Sequence, residues 1–183
     1  GLCYRKSSVI KLPQQNKIMK ADIKVAVIGG GAAGFFTALS VKEHNPSAKI
    51  TLFEKTTKVL TKVKISGGGR CNVTNAVTDL EILCGAYPRG GKQLRNSFFK
   101  FDTTDTQKWF ESRGVSLKTE IDGKVFPVSN NSQSIIDCLI NQAKKSEVVI
   151  EYNSAIKNLI KKDLQWLLYI QNKVQPQIFD YVV

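Results

Sequence analysis

Two glycine-rich stretches offer bare backbone where a charged ligand could be met. The first, VAVIGGGAAGFFTAL, sets Gly29, Gly31 and Gly34 in G-x-G-x-x-G register, with a strand-like run before it and a helix-like run after it. In that setting Gly29 permits a tight turn, Gly31 lets backbone approach a pyrophosphate at a helix N-terminus, and Gly34 lets helix and strand pack closely. The candidate cofactor-binding stretch is Gly29, Gly30, Gly31, Ala32, Ala33 and Gly34. Glu54, 20 residues beyond Gly34 at the end of ITLFEK, is placed to accept hydrogen bonds from an adenosine ribose, with Lys55 beside it. A carboxylate there repels a 2′-phosphate, which disfavours NADP in this pocket. The bland alternative is an ordinary glycine-rich turn with Glu54 as a surface acid.

The second stretch, KISGGGRCNVTN, runs from Lys64 to Asn75 with little that is apolar. The N–H groups of Gly67, Gly68 and Gly69 could bond phosphate or ribityl oxygens, Arg70 could supply charge, and Asn72 could donate and accept. Ser66 opens the loop and Cys71 lies inside it. Lys55, Lys58, Lys62, Lys64 and Arg70 crowd this region, as an exposed loop or an anion-binding neighbourhood would require. A multi-turn loop held by asparagine side chains would use the same residues differently. The first motif alone does not separate FAD from NAD; a second glycine loop reaching the middle of a long, extended cofactor favours FAD.

The elements that must position these loops are legible in part. Strand Ile23 to Ile28, helix Ala32 to about Lys42 and strand Lys49 to Glu54 form a βαβ unit. In NNSQSIIDCLINQAKK, Ile136, Leu139, Ile140 and Ala143 recur at helical spacing, and EVVIEY supplies a further strand. AIKNLI and LQWLLYI read as an antiparallel pair leading to PQIFDYVV, a buried strand in which the chain stops. Between the second strand and the later helix lies an excursion over residues 56–130, too long for a plain loop. Within it TDTQKWFESRG offers Thr104 and Gln107 as a capping box, Gly114 as a stop, and Trp109 and Phe110 for burial. The fold class expected is α/β, a doubly wound Rossmann-type domain with a long insertion and a β-meander.

At 183 residues and 42% apolar content the chain suits one ordinary globular domain. No apolar run reaches 18 residues and the basic first residues lack a signal-peptide core, so the expectation is a cytoplasmic protein without membrane contact. Residues 1–18, which carry four basic and no acidic side chains, read as a loose extension before Met19; residues 19–183 read as the cofactor domain. Cys3, Cys71, Cys84 and Cys138 have neither metal-site nor disulfide-scaffold spacing and read as reduced thiols, so no metal site is expected. Cys71 as an active thiol lacks a resolving cysteine nearby, and packing is the preferred reading. His44 reads as a helix-terminal residue rather than a base. The net charge of +12 comes from scattered lysines without a nucleic-acid signature, so no nucleic-acid partner is expected.

VAVIGGGAAG, ITLFEK, KVKISGGGRCNVTN, YPRGGKQLRNSFFKF and WFESRGVSLKTEIDGKVFPVSNNSQSIIDCL, in this order, resemble the N-terminal part of the aminoacetone-oxidase-like, or BaiN-like, bacterial flavoproteins. The resemblance implies a two-dinucleotide-binding-domain type flavoprotein holding FAD noncovalently, with NAD(P)H as a possible electron donor and an unidentified small-molecule substrate. It implies Gly29, Gly31 and Gly34 at the pyrophosphate, Glu54 at the adenosine ribose, Ser66 to Asn72 along the diphosphate-to-flavin side, and Ile156 against adenine through its backbone. Such proteins continue for about twice this length, so an incomplete domain is expected and no residue here is assigned a catalytic role. The rival readings are an NAD-dependent dehydrogenase, a non-catalytic nucleotide-binding fragment and, on charge alone, an RNA-modifying flavoenzyme.

Overall fold

The computed structural model describes residues 22–183, so the expected loose extension at 1–18, with Cys3, lies outside the described residues. In chain order the chain forms β1 (Lys24–Ile28), α1 (Ala32–His44), β2 (Lys49–Phe53), α2 (Thr61–Ile65), a tight turn at Ser66–Gly69 and β3 (Thr74–Asn75). There follow α3 (Leu80–Gly85), α4 (Gly91–Lys100), α5 (Thr103–Glu111), β4 (Leu117–Thr119), β5 (Lys124–Pro127) and α6 (Gln133–Lys145). The last elements are β6 (Val149–Glu151), β7 (Ile156–Lys162), β8 (Gln165–Ile170), β9 (Gln177–Phe179) and β10 (Tyr181–Val182).

The core sheet has the order β10-β1-β2-β6, and every neighbouring pair is parallel. Because side chains alternate along a strand, each core strand feeds two layers. Val25, Val27, Ile50 and Leu52 face α1 and α6, where they bury Phe35, Ala38, Leu39, Ile136, Leu139 and Ala143. Ala26 and Phe53 face the antiparallel meander β7-β8-β9, packing on Leu168, Ile170 and Phe179. Each such large apolar side chain stabilises the fold by about 1.5–3 kcal/mol on burial. The chain steps outward from β1 to β2 to β6, then returns to β10 on the other flank of β1. The order therefore reverses beside β1, at the carboxyl end where open α/β sheets bind ligands.

The final run PQIFDYVV is not one buried strand but two short ones in different sheets. Gln177–Phe179 closes the meander, with Phe179 edge-on to Phe53 at 5.7 Å, whereas Tyr181–Val182 joins the core sheet. Asp180 is the pivot: its carboxylate accepts the Lys24 N–H at 2.8 Å. Two sheets compete for one apolar run, and the polar residue in the middle divides it.

The excursion over residues 56–130 folds as α2 through α5 with a small antiparallel sheet of order β3-β5-β4. Its α5 is capped two residues earlier than the Thr104–Gln107 pairing expects. Asp102 accepts from the N–H groups of Thr104 and Asp105 at 2.7 and 2.9 Å, while Asp105 accepts from the Asp102 N–H at 3.0 Å. A carboxylate three residues from another reproduces the reciprocal box that Ser/Thr with Glu/Gln would make. Thr103, just inside the cap, is buried and donates its hydroxyl to the Val77 carbonyl at 2.6 Å, tying the two ends of the α3–α4 hairpin together. Trp109 and Phe110 are buried against Phe36 as expected, and Gly114 follows the helix with φ +84°.

Replacing Asp102 with Ala removes the two hydrogen bonds that its carboxylate accepts, while its backbone N–H still reaches Asp105, and should cost about 1 kcal/mol. A urea-unfolding midpoint lowered at unchanged m-value is the expected result, with Thr104→Ala close to neutral.

Candidate functional site

The glycine turn after β1 is held by backbone hydrogen bonds and by one side chain, that of Glu54. Gly29 donates to the Phe53 carbonyl at 2.8 Å, and the Gly30 carbonyl accepts from the Leu60 N–H at 2.8 Å. Gly34 has no room for a side chain, since a Cβ there would lie 2.0 Å from the Gly29 carbonyl oxygen. Gly31 is different. Its backbone is extended (φ −89°, ψ −175°), a conformation open to any residue, and nothing lies within 4 Å of where its Cβ would stand. The fold does not require glycine at this position, and its absent side chain leaves the backbone open to approach. No side chain caps α1, and its first turn holds no acid. Ala32 and Ala33 therefore present an exposed helix N-terminus whose free N–H groups and dipole favour an anion.

Glu54 sits directly across from this turn. One carboxylate oxygen, Oε2, accepts the Gly30 N–H at 3.0 Å; the other, Oε1, accepts the Thr56 N–H and hydroxyl, each at 2.8 Å. Burial by itself would raise its pKa, but the Thr56 and Gly30 hydrogen bonds, with Lys55 alongside, hold it below the ordinary carboxylate value. Those bonds stabilise the fold above the ordinary range and are lost as pH falls through the lowered pKa. Lys55 is exposed. The loop after β6 is stitched to the same edge: Ser154 donates its N–H to the Glu54 carbonyl at 2.8 Å and Asn153 to that of Thr56 at 3.0 Å. Ile156, half-buried at the start of β7, follows two residues later.

The second glycine stretch is a strained turn. Gly67, Gly68 and Gly69 all have positive φ, +55°, +67° and +85°, which side chains other than glycine resist. A Cβ on Gly67 would also stand 2.8 Å from the Asn72 nitrogen, while Gly68 and Gly69 open onto empty space. The turn is anchored to the start of α6, where Ser132 donates its N–H to the Gly69 carbonyl and its hydroxyl to the Lys64 carbonyl, both at 2.9 Å. Ser66 Oγ donates to the Val63 carbonyl at 2.9 Å.

Asn72, with its amide nitrogen turned inward, donates to the Thr74 and Val125 carbonyls at 2.8 and 3.3 Å. Arg70 is already partnered: its guanidinium pairs with Glu120 at 2.6 Å and stacks 4.0 Å over the Phe126 ring. Cys71 is buried with φ +65°, and burial pushes its thiol pKa up, offset in part by a hydrogen bond with Ser66. A thiol of that kind is a packing group rather than a nucleophile.

The two motifs meet at one cavity of about 310 Å³, which Ala32 lines from the first and Ser66, Cys71 and Asn72 from the second. Lys62 and Phe36 complete its wall, with Thr106 of α5 and Ile135 of α6. Larger hollows of about 600 and 850 Å³ lie at the opposite, amino end of the sheet, around Lys24 and Lys49 and around Lys24 and Trp166. Neither has a glycine turn or a free helix N-terminus facing it. Thr56 and Ser132 were not anticipated as site residues, although Thr56 stands two positions past the acid that it holds. His44 bonds through Nδ1 to the Ser40 carbonyl at 2.8 Å, as a helix-end residue. Among the described residues Cys71, Cys84 and Cys138 are free, no metal-binding group of side chains converges, and no helix is long and apolar enough to cross a membrane.

A parallel sheet with helices on one face, an antiparallel meander on the other and a glycine turn at the switch point is the Rossmann-type architecture of dinucleotide-binding flavoproteins. Residues 23–182 match the HI0933-like protein Rossmann domain, and the chain belongs to that family. It is 28% identical over 127 residues to the 3-dehydro-bile acid delta(4,6)-reductase of Clostridium scindens, covering 69% of this chain and 30% of the relative. It is 26% identical over 142 residues to the ribosomal RNA dihydrouridine synthase of Escherichia coli, covering 78% of this chain and 34% of the relative. The chain thus spans about a third of the length of these curated relatives. The 3-ketosteroid-delta4-(5alpha)-dehydrogenase of Rhodococcus jostii superposes with a TM-score of 0.59 at 15% identity, covering 92% of this chain and 45% of that one. A flavocytochrome c3 fumarate reductase superposes at 0.56 and 22%, covering 98% and 37%; both likenesses concern the fold alone.

Burial and the raised thiol pKa make Cys71 slow to alkylate, with a rate that climbs only at pH values above the ordinary thiol range. Peptide mapping after brief iodoacetamide treatment at neutral pH should find the half-buried Cys84 modified well before Cys71.

Proposed function

We propose that the chain is the FAD-binding portion of a flavin-dependent oxidoreductase, of the aminoacetone-oxidase-like, or BaiN-like, kind. The observation that carries this reading is Gly31: an unstrained residue, open to solvent at an uncapped helix N-terminus, where only a ligand would need the missing side chain. On this reading Gly29 to Gly34 hold the pyrophosphate through backbone N–H groups, and Glu54, with Lys55 beside it, takes the adenosine ribose. Ile156 lies on the adenine side, and Ser66 to Asn72 run along the diphosphate-to-flavin side. Bound flavin supplies the capacity to accept and pass on hydride or an electron pair. The residues of this chain bind and orient it; Glu54 disfavours a 2′-phosphate at the same pocket, which places any NADPH donor elsewhere in the full protein.

A second reading concerns the substrate. The net charge of +12 and the E. coli relative, a ribosomal RNA dihydrouridine synthase, support RNA as a rival to the small-molecule substrate that the Clostridium scindens relative, a bile acid reductase, supports for the full protein. An RNA substrate requires affinity that drops steeply between 50 and 200 mM salt; salt-independent absence of RNA binding by the longer protein removes this reading.

The purified protein should show flavin absorption in the visible and release FAD, not FMN, on denaturation. Gly31→Val should abolish the flavin bands while leaving the far-ultraviolet circular dichroism unchanged, since no protein atom lies within 4 Å of the new Cβ. Stoichiometric flavin in a folded Gly31→Val protein would place the nucleotide elsewhere.

A further inference from the structure

Building on the FAD reading, we propose that Thr56 is the positioning residue of the site: it fixes the Glu54 carboxylate against the glycine turn so that one oxygen is left to meet the ribose. The hydrogen bonds around Glu54 carry the argument. An ionised carboxylate offers about four lone-pair directions. Thr56 fills both on Oε1, through its N–H and its hydroxyl, and Gly30 fills one on Oε2. The single remaining direction, on the oxygen that already touches the glycine turn, is the one available to a ribose hydroxyl.

The hydroxyl is committed to this task by its own surroundings. Thr56 Oγ1 lies 2.8 Å from Glu54 Oε1 and 2.9 Å from the Lys58 carbonyl oxygen, and it has one hydrogen to give. The ionised carboxylate is the stronger acceptor. The Lys58 N–H donates to Oγ1 from behind at 3.3 Å, and the Thr56 carbonyl accepts from Asn153, so residue 56 is held from both sides. A β-branched side chain adds stiffness at χ1. The clasp also joins the parts of the site: Gly30 on the pyrophosphate turn, Glu54 at the ribose, and the Asn153–Ser154 loop that leads to Ile156.

Few other charges act on the carboxylate. Lys55 is the adjacent cation, and Lys58 reaches Thr56 only through its backbone. Glu151, whose carbonyl accepts the Glu54 N–H, directs its own carboxylate to Lys173 and Gln177. Removing the Thr56 hydroxyl therefore removes a principal restraint on both the geometry and the titration of Glu54.

The test reads Glu54 directly by carbon-detected NMR titration of its carboxyl in the flavin-free protein, beside FAD affinity by fluorescence, in wild type, Thr56→Val, Thr56→Ser and Glu54→Gln. Thr56→Val should move the Glu54 midpoint upward, toward the ordinary carboxylate value, and weaken FAD about tenfold at neutral pH. It should also bring the acid-side loss of FAD affinity to a higher pH. Thr56→Ser should restore both. An unmoved midpoint in Thr56→Val overturns the proposal, whether or not flavin binds. Weakening of FAD by Glu54→Gln but not by Thr56→Val overturns the positioning role and leaves the FAD reading intact. A shifted midpoint with FAD affinity indifferent to Glu54→Gln overturns the ribose assignment itself.

Discussion

The contact between Gly34 and the Gly29 carbonyl governs the geometry of the whole site. With a Cβ excluded at 2.0 Å, the first turn of α1 lies directly on the turn that leaves β1. That closeness aims the helix at the carboxyl end of the sheet beside β1, where the strand order reverses. The same helix is held down one residue later by Phe35, fully buried, and then by Ala38 and Leu39 on the face toward Val25, Val27, Ile50 and Leu52. One apolar stripe thus anchors α1 and sets where its free N–H groups point. A side chain on Gly34 would lift that end of the helix and misplace everything that depends on it.

The second glycine segment reaches the first only through long-range ties. It arrives from β2 by way of Val59 and Leu60, the latter buried in a left-handed conformation while donating to the Gly30 carbonyl. Burial of the leucine in the main core offsets the cost of that backbone, of order 1–3 kcal/mol for a non-glycine residue. Ser132, far along the chain, then fixes the other end of the turn at Gly69 and Lys64. Three successive positive-φ glycines, then Arg70 in an ordinary right-handed conformation and Cys71 again at positive φ, form a turn that local sequence preference alone would not hold. The long excursion supplies part of the holding, through α5 and the small sheet around Phe126, and the start of α6 supplies the rest through Ser132.

What was legible in the sequence was what is decided locally. The βαβ unit declares itself because apolar periodicity and glycine spacing sit within about 30 residues, and α6 because Ile136, Leu139, Ile140 and Ala143 recur at helical spacing. Helices α3 and α4 were not legible: the first has six residues, and the second begins at Gly90 and Gly91, which read as a loop. The division of PQIFDYVV depends on which sheet each half can reach, and no local pattern encodes that. In the site, the glycine positions and Glu54 were readable as types at a spacing. The pairing of Arg70 with Glu120, fifty positions away, was not, and it changes the charge that Arg70 brings to the neighbourhood.

That pairing bears on how an anion would be recognised. With Arg70 matched to Glu120 and stacked on Phe126, and with no side chain capping α1, attraction for a diphosphate would rest on backbone N–H groups, the helix dipole and Lys62 in the cavity wall. Glu54, a few ångströms across the turn, is anionic and repels phosphate. On the proposed reading, an adenine dinucleotide would have one favourable arrangement along this edge, with its uncharged ribose diol at the carboxylate and its diphosphate at the helix. Reversing it would set anion against anion and leave the helix N-terminus without a partner. On that reading, selectivity at this end of the site would come from the opposition of one fixed negative charge and one fixed dipole, both positioned by the glycine turn between them.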